Sequence, residues 1–333
     1  RRYLLQALEH TGLGPDELGI AKALLLGDRT RVETDLYTSY KRAGVVHLLA
    51  VSGLHVGILA AFLYGLFRPL RRYPYGRLLQ LGGSTALLWG YALLCGFSPS
   101  VVRAVLLFCF VSYALYLQRP GATLHFLSLA WVCMLVLNPY WLLQVGFQLS
   151  FAAVAGIVLL YPALFGAWPA KGWPWGYIGK LVCVSLAAQA GTLPLTLYYF
   201  HQFPWGFLLS NLMLVPGIAL ILAMGFACMG LQTLSLLPAP LASLFGFLLG
   251  QMNAFIRWAG GLEGLFTEGI PWGAVHLALS GAGLVLLATH LRSRKRWMLG
   301  GAAICLTGLV LWGAAGEVAD RSRETLIVPH KYR

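Results

Sequence analysis

Acidic residues are missing from most of this chain. Between Leu36 and Leu262 there is neither an aspartate nor a glutamate, and all eleven acids lie in residues 9–35 or 263–324. Membrane proteins that carry protons or metal cations usually do so with buried carboxylates, so this stretch lacks the groups that chemistry most often uses. A charged solute crossing it is better matched as an anion. Charge of either sign is scarce as well: Asp, Glu, Lys and Arg make up 11% of 333 residues, against 59% hydrophobic. A soluble domain carries about 25% charged residues, so the composition excludes one. The six cysteines (Cys95, Cys109, Cys133, Cys183, Cys228, Cys305) form no CxxC pair and sit inside apolar runs. They read as small buried hydrophobes rather than disulfides or ligands. There is no G-x-x-x-x-G-K-[ST] loop for ATP, no metal-binding His/Asp cluster and no G-x-S-x-G elbow. The sequence therefore predicts no cofactor and no catalytic residues.

What is present is positive charge and helix-length apolar sequence. Eleven lysines and arginines fall in the acid-free stretch, and the net charge is +13. The apolar runs, separated by Gly, Pro and aromatic clusters, predict an all-α integral membrane protein, a polytopic helix bundle rather than a β-barrel. Ten spans are expected, at about 44–67, 79–97, 99–117, 121–137, 146–163, 178–200, 205–234, 239–260, 273–290 and 297–315. The seventh is too long for one straight crossing. With Asn211 and Pro216-Gly217 inside it, a broken helix or two half-helices are expected there, a simple proline kink in a continuous helix being the other reading. Residues 138–146 suit a re-entrant or interfacial segment. Residues 1–43 form an outer helical segment, with helices over Pro15–Leu26 and Glu33–Arg42, 44–315 the transmembrane domain, and 316–333 a polar tail or linker. The first residue is Arg1, which suggests a segment of a longer protein. Loop arginines set the orientation: Arg68, Arg71, Arg72, Arg77 and Arg292, Arg294, Lys295, Arg296 predict cytoplasmic loops, with Arg119 and Lys171 of the same parity. The N-terminal segment and the C-terminal tail are then extracellular or periplasmic.

The sharpest segment is His47-Leu-Leu-Ala-Val-Ser-Gly-Leu-His-Val-Gly57. On an unbroken helix His47, Ser52 and His55 share one arc, a polar face directed at water, backbone or a narrow path. Ser52-Gly53 can instead break the helix and free its carbonyls. A packed face of hydrogen-bonded histidines and a Ser/His hydrolase are the other readings. The hydrolase lacks a nearby carboxylate. Arg103 is an intramembrane cation, and such a group needs partners: carbonyls, water, a phosphate, or an N-terminal acid such as Asp28. Snorkelling to the outer surface is the alternative. Gln144, Gln148 and Ser150, and again Gln189 and Thr192, fall on helical spacing. Together with Asn211 they suit either a pore lining or interhelical hydrogen bonds.

The segment His47–Gly57 resembles the signature of the ComEC family, the bacterial inner-membrane DNA-uptake channels of natural transformation. Further stretches follow in the family's order: Leu24-Leu-Leu-Gly-Asp28, Gly96-Phe-Ser-Pro-Ser-Val-Val-Arg103, Asn138-Pro139, Gln144-Val-Gly-Phe-Gln-Leu-Ser150, Gln189-Ala-Gly-Thr-Leu-Pro194 and His201-Gln-Phe-Pro204. The resemblance covers about residues 20–260. It implies a channel passing single-stranded DNA inward across the bacterial cytoplasmic membrane. His47, Ser52, His55, Arg103, Gln144, Gln148, Ser150, Gln189, Thr192 and Asn211 would line the path, and Asp28 and Arg42 would support its mouth. It also implies partners: membrane lipids, an extracellular DNA receptor, a cytoplasmic helicase or ATPase, and OB-like and metallo-β-lactamase-like domains not contained in these residues. A secondary transporter or flippase for an anionic solute or lipid is the alternative, because broken helices and an arginine fit that class too.

Overall fold

The structure is a computed structural model that describes residues 1–117, 123–170, 172–293 and 295–324. The expected basic positions Arg119, Lys171 and Arg294 lie outside the described residues, as does the tail after Glu324. Chain contacts divide it into two compact units, Arg1–Phe151 with Phe203–Thr267, and Ala152–Gln202 with Glu268 onward.

The first unit begins with three short helices, α1 (Arg2–Glu9), α2 (Pro15–Leu26) and α3 (Thr34–Arg42). The sequence marks α2 at both ends: Pro15 opens it, Asp16 and Glu17 complement the helix dipole in its first turn, and Gly27 closes it in the left-handed conformation at φ 68°. Its residues from Ile20 to Leu26, Lys22 included, are buried. The apolar ones share a core with α1, α3, α10 (Phe207–Thr233) and α11 (Ala239–Gly260). The sequence reading passed over α1, which has no side-chain cap and docks through Leu4, Leu5 and Leu8. The buried Lys22 is satisfied by Glu9 at 2.6 Å, which also meets Arg31 at 3.0 Å. Tyr40 of α3 donates to Asn253 Oδ1 of α11 at 2.9 Å.

A 3-10 turn (Val46–Leu49) then leads to α4 (Gly53–Leu66), α5 (Gly76–Leu94), α6 (Pro99–Tyr116) and α7 (Thr123–Leu137). Helices α4, α5 and α6 enclose a second core around Val56, Leu59, Leu88 and Val101. A third joins α6 and α7 to Phe147 at the start of α8 (Val145–Gly166). Tyr91 of α5 donates to the Leu25 carbonyl at 2.9 Å, tying the second core to α2. Residues 139–143 form a single 3-10 helix. The strands β1 (Gln202–Pro204) and β2 (Phe266–Glu268) pair with each other.

The second unit holds the remainder of α8 together with α9 (Trp175–Phe200), α12 (Ala274–Ser293) and α13 (Arg296–Glu324). Small residues let backbones meet there, the usual solution where lipid removes the hydrophobic drive between helices. A Cβ on Gly156 would lie 2.9 Å from Gly191 Cα. Helix α13 continues past residue 316 to Glu324.

Two expectations are corrected. Among the described residues six helices, not ten, are long and apolar enough to cross a membrane: Pro99–Tyr116, Val145–Gly166, Trp175–Phe200, Phe207–Thr233, Ala239–Gly260 and Ala274–Leu291. Gly53–Leu66, His125–Leu137 and Arg296–Trp312 are shorter apolar helices. The 14 residues of α4 reach only about 21 Å, short of a hydrocarbon core of about 30 Å. The 19-residue α5 has the length, but it carries Arg77, Gln80, Ser84 and Thr85. The second correction concerns the break. Helix α10 is continuous over 27 residues with Pro216 inside it. The chain breaks instead within the first expected span, at Ala50–Ser52, where the 3-10 turn ends and α4 has yet to begin.

Candidate anion-binding site at a helix break

The break is set by local chemistry. Gly44 turns the chain out of α3 at φ 77°, and a Cβ there would strike Phe207. Ser52 is extended (φ −110°, ψ 173°) and caps α4, whose third residue is His55. The Ser52 N–H donates to His55 Nδ1 at 3.3 Å, and Ser52 Oγ lies 2.9 Å from the same nitrogen. This is a capping box with an imidazole in place of the usual carboxylate. Because Nδ1 accepts from the backbone, the proton of a neutral ring sits on Nε2. His55 is fully buried, and Nε2 has no partner among the described residues.

Two carbonyls freed by the break are taken up by neighbouring elements. Arg29 Nε donates to Leu49 O at 2.9 Å, and Ser100 Oγ in the first turn of α6 donates to Val51 O at 2.8 Å. One turn later, Arg103 comes against the start of α4: a Cβ on Gly53 would lie 3.1 Å from Arg103 Nη2. Arg103 is 6% exposed. Its Nε donates to Ser150 Oγ at 2.8 Å, and its guanidinium carbon sits 5.7 Å from the Phe151 ring centroid. Among the described residues it forms no ion pair. A buried cation thus stands beside the positive end of a helix dipole, with no carboxylate to balance either. That combination favours an anion.

Of the partners open to Arg103 from the sequence, Asp28 is not the one it meets. Asp28 Oδ1 accepts from Thr30 Oγ1 at 2.7 Å and from Thr30 N at 3.2 Å, a closed local turn. The Thr30 hydroxyl bond outweighs desolvation and holds the Asp28 carboxyl below its ordinary value. The common arc of His47, Ser52 and His55 is also absent, because the break separates them: His47 is exposed on the 3-10 turn while His55 is buried in α4. Arg42 is exposed in the last turn of α3.

Of the glutamines, Gln144 precedes α8 and is exposed, so it does not share a helix face with Gln148, whose Nε2 donates back to Leu142 O at 2.9 Å. Asn211 lies half-buried in α10, and its Oδ1 has no partner among the described residues. Gln189 and Thr192 belong to the second unit. Gln189 is half-buried, and Thr192 bonds back to its own helix at Ala188 O, 3.1 Å. The structure therefore gathers Ser52, His55, Arg103 and Ser150 and leaves the rest elsewhere. The sequence reading missed Ser100 and the Gly53 contact. The Ser-Pro-Ser opening of α6 was a usable signal for Ser100; Ser52-Gly53 was marked as a helix break, but nothing in the sequence marked the approach of Arg103 to Gly53. The Ser52–His55 pair has no carboxylate behind it. Among the described residues no three His, Cys, Asp or Glu side chains gather to hold a metal ion.

Six long apolar helices define a multi-pass α-helical membrane protein. Residues 24–296 match the competence protein family. The chain belongs to that family. It is 36% identical over 309 residues to ComE operon protein 3 of Bacillus subtilis, covering 90% of this chain and 38% of that protein. It is 29% identical over 307 residues to competence protein ComA of Neisseria gonorrhoeae, covering 89% and 41%. Recombination protein 2 of Haemophilus influenzae is 28% identical over 228 residues, covering 65% and 29%. The chain thus spans well under half the length of these relatives. No solved structure matches it.

Proposed function

We propose that this chain is the membrane core of a channel that passes single-stranded DNA into the bacterial cytoplasm during natural transformation. The observation that carries this reading is Arg103, buried without an acidic partner beside the start of α4. A phosphodiester supplies the missing negative charge there, and a single such site holds each passing phosphate without trapping the strand. The acid-free stretch from Leu36 to Leu262 supports the same reading, since a carboxylate-lined path would repel a polyanion. So do the name of the family and that of one relative, both of which refer to competence. In this reading the N-terminal helices face outward, where a DNA receptor delivers the strand, and a cytoplasmic helicase or ATPase pulls it. OB-like and metallo-β-lactamase-like domains belong to the remainder of the protein.

The test is site-specific photocrosslinking in competent cells, with probes at positions 52, 55, 103, 148 and 150. Strand adducts centred on 52 and 103 are expected. Adducts to lipid alone, or to none of these positions, would refute the path. Capture of a small anionic solute in place of DNA would favour the transporter reading.

A further inference from the structure

At the other end of α4, α5 and α6 lies a cavity of about 260 Å³ lined by Tyr64, Arg71, Arg77, Leu81, Leu115 and Tyr116. Neither the channel reading nor the family match assigns it a role. One of its arginines, Arg71, is held in place before any ligand arrives. Arg71 Nε donates to Gln80 Oε1 at 2.6 Å, and Gln80 Nε2 donates to Tyr64 O at 2.5 Å. Gln80 is 1% exposed, so a buried amide fixes the guanidinium. The Arg71 guanidinium also lies over the Tyr64 ring, 5.5 Å from its centroid. These contacts use Nε and one face and leave the terminal nitrogens for a ligand. Arg77 is exposed in the first turn of α5, where the helix dipole is already positive. Among the described residues neither arginine forms an ion pair. Two cations and a helix start converge with no acid, so the ligand is an anion.

The rim indicates which anion. Leu115 and Tyr116 are exposed there, and Leu78 and Leu79, in the same first turn of α5 as Arg77, are exposed as well. Leucines, tyrosines and arginines together are the composition of a membrane–water interface. A hydrated nucleic-acid strand would leave those leucines in water, whereas a lipid covers them with its own chains. We propose that this cavity seats the phosphate headgroup of an anionic membrane phospholipid. Arg71 and Arg77 bind the phosphate, and Leu115 and Tyr116 flank the glycerol and the first acyl methylenes. A lipid held there anchors the Arg68–Arg77 loop at the interface.

The experiment is native mass spectrometry of the intact protein in neutral detergent, titrated with dioctanoyl phosphatidylglycerol. Saturable binding is expected, with none for dioctanoyl phosphatidylcholine. Arg71→Gln with Arg77→Gln should weaken it about thirtyfold, the effect of two interfacial cations. Arg68→Gln with Arg72→Gln, outside the cavity, should leave it within about threefold, because exposed charges that do not touch the ligand are screened by solvent. Equal loss in both pairs would reduce the effect to diffuse charge and overturn the proposal, as would unchanged binding in the first pair. Displacement of the lipid by equimolar inorganic phosphate would mark a free-phosphate site, and displacement by an oligothymidylate a strand contact; either overturns it. If the first pair does not fold, Leu115→Trp fills the cavity from its rim and should abolish binding. Unchanged affinity in that variant overturns the proposal equally.

Discussion

Arg103 is held from two sides by groups that cannot neutralise it: Ser150 orients its Nε and Phe151 lies beside its plane. The guanidinium therefore keeps a fixed position and a free charge. Arg103→Gln should lower transformation by about ten- to a hundredfold, the range of one charge-assisted contact, with membrane insertion unchanged. Arg103→Lys should recover only part of this, because an ammonium cannot bond Ser150 and reach the start of α4 in the same geometry. Both are read as transformation frequency against immunoblotted membrane fractions, and wild-type frequency in Arg103→Gln would remove the site from the path. Gly53→Ala is the sharper probe. Its methyl would stand 3.1 Å from Nη2, so the arginine must retreat by a few tenths of an ångström. Uptake should fall while thermal stability in detergent stays within about 1 kcal/mol, since alanine is the better helix former.

At the scale of elements, the break at Ala50–Ser52 and the continuity of α10 make opposite predictions for two substitutions. Ser52→Ala removes the cap of α4 and should cost about 1 kcal/mol, measured by thermal unfolding, because the hydroxyl and backbone of Ser52 both meet His55. Pro216→Ala should leave uptake intact or slightly raise stability, because α10 already runs unbroken through that position. Loss of transport in that variant would restore the broken-helix reading of the segment. Helix α2 offers a packing test. Leu25 is 1% exposed and lies against Gly225 of α10. Leu25→Ala should therefore destabilise the first unit by about 2–5 kcal/mol, read as a lower unfolding temperature with loss of protease resistance in residues 1–43.

Across the whole molecule, acids of the N-terminal segment tie its helices down: Glu9 to Lys22 and Arg31, and Asp16 and Glu33 to Arg257 of α11. Glu9 is hydrogen-bonded to Lys22 and attracted to it and to Arg31, which lowers its carboxyl below the ordinary 4.5. A depressed folded value means the contribution is present above 4.5 and is lost as pH falls through the folded value. Acidification below that point should release α1 and α2 before the apolar helices, and hydrogen exchange across residues 1–26 in detergent would record the order. Glu9→Gln should remove this pH dependence.

Helix content, the membrane class, α2 with its Pro-Asp-Glu opening, and the deficit of acid were legible from the residues, because each depends on local spacing or composition. Ser52-Gly53 was recognisable as a weak point, since a cap and a glycine side by side announce a helix start. The span count was not legible: an apolar run shows that lipid or core will accept it, and the 14 residues of α4 differ from a spanning helix only in where the chain turns. Nor was the partner of Arg103. Asp28 is suited to it by charge but is closed onto Thr30 two residues away, while Ser150, 47 residues along the chain, bonds Arg103. Composition by itself determined that residues 36–262 contribute no carboxylate to any ionic path, because folding can bring acids there only from outside that stretch. Only the tertiary structure decided where the positive charge stands unbalanced. That depends on a backbone approach at Gly53, on which helix ends meet, and on which neighbours reach the carbonyls first.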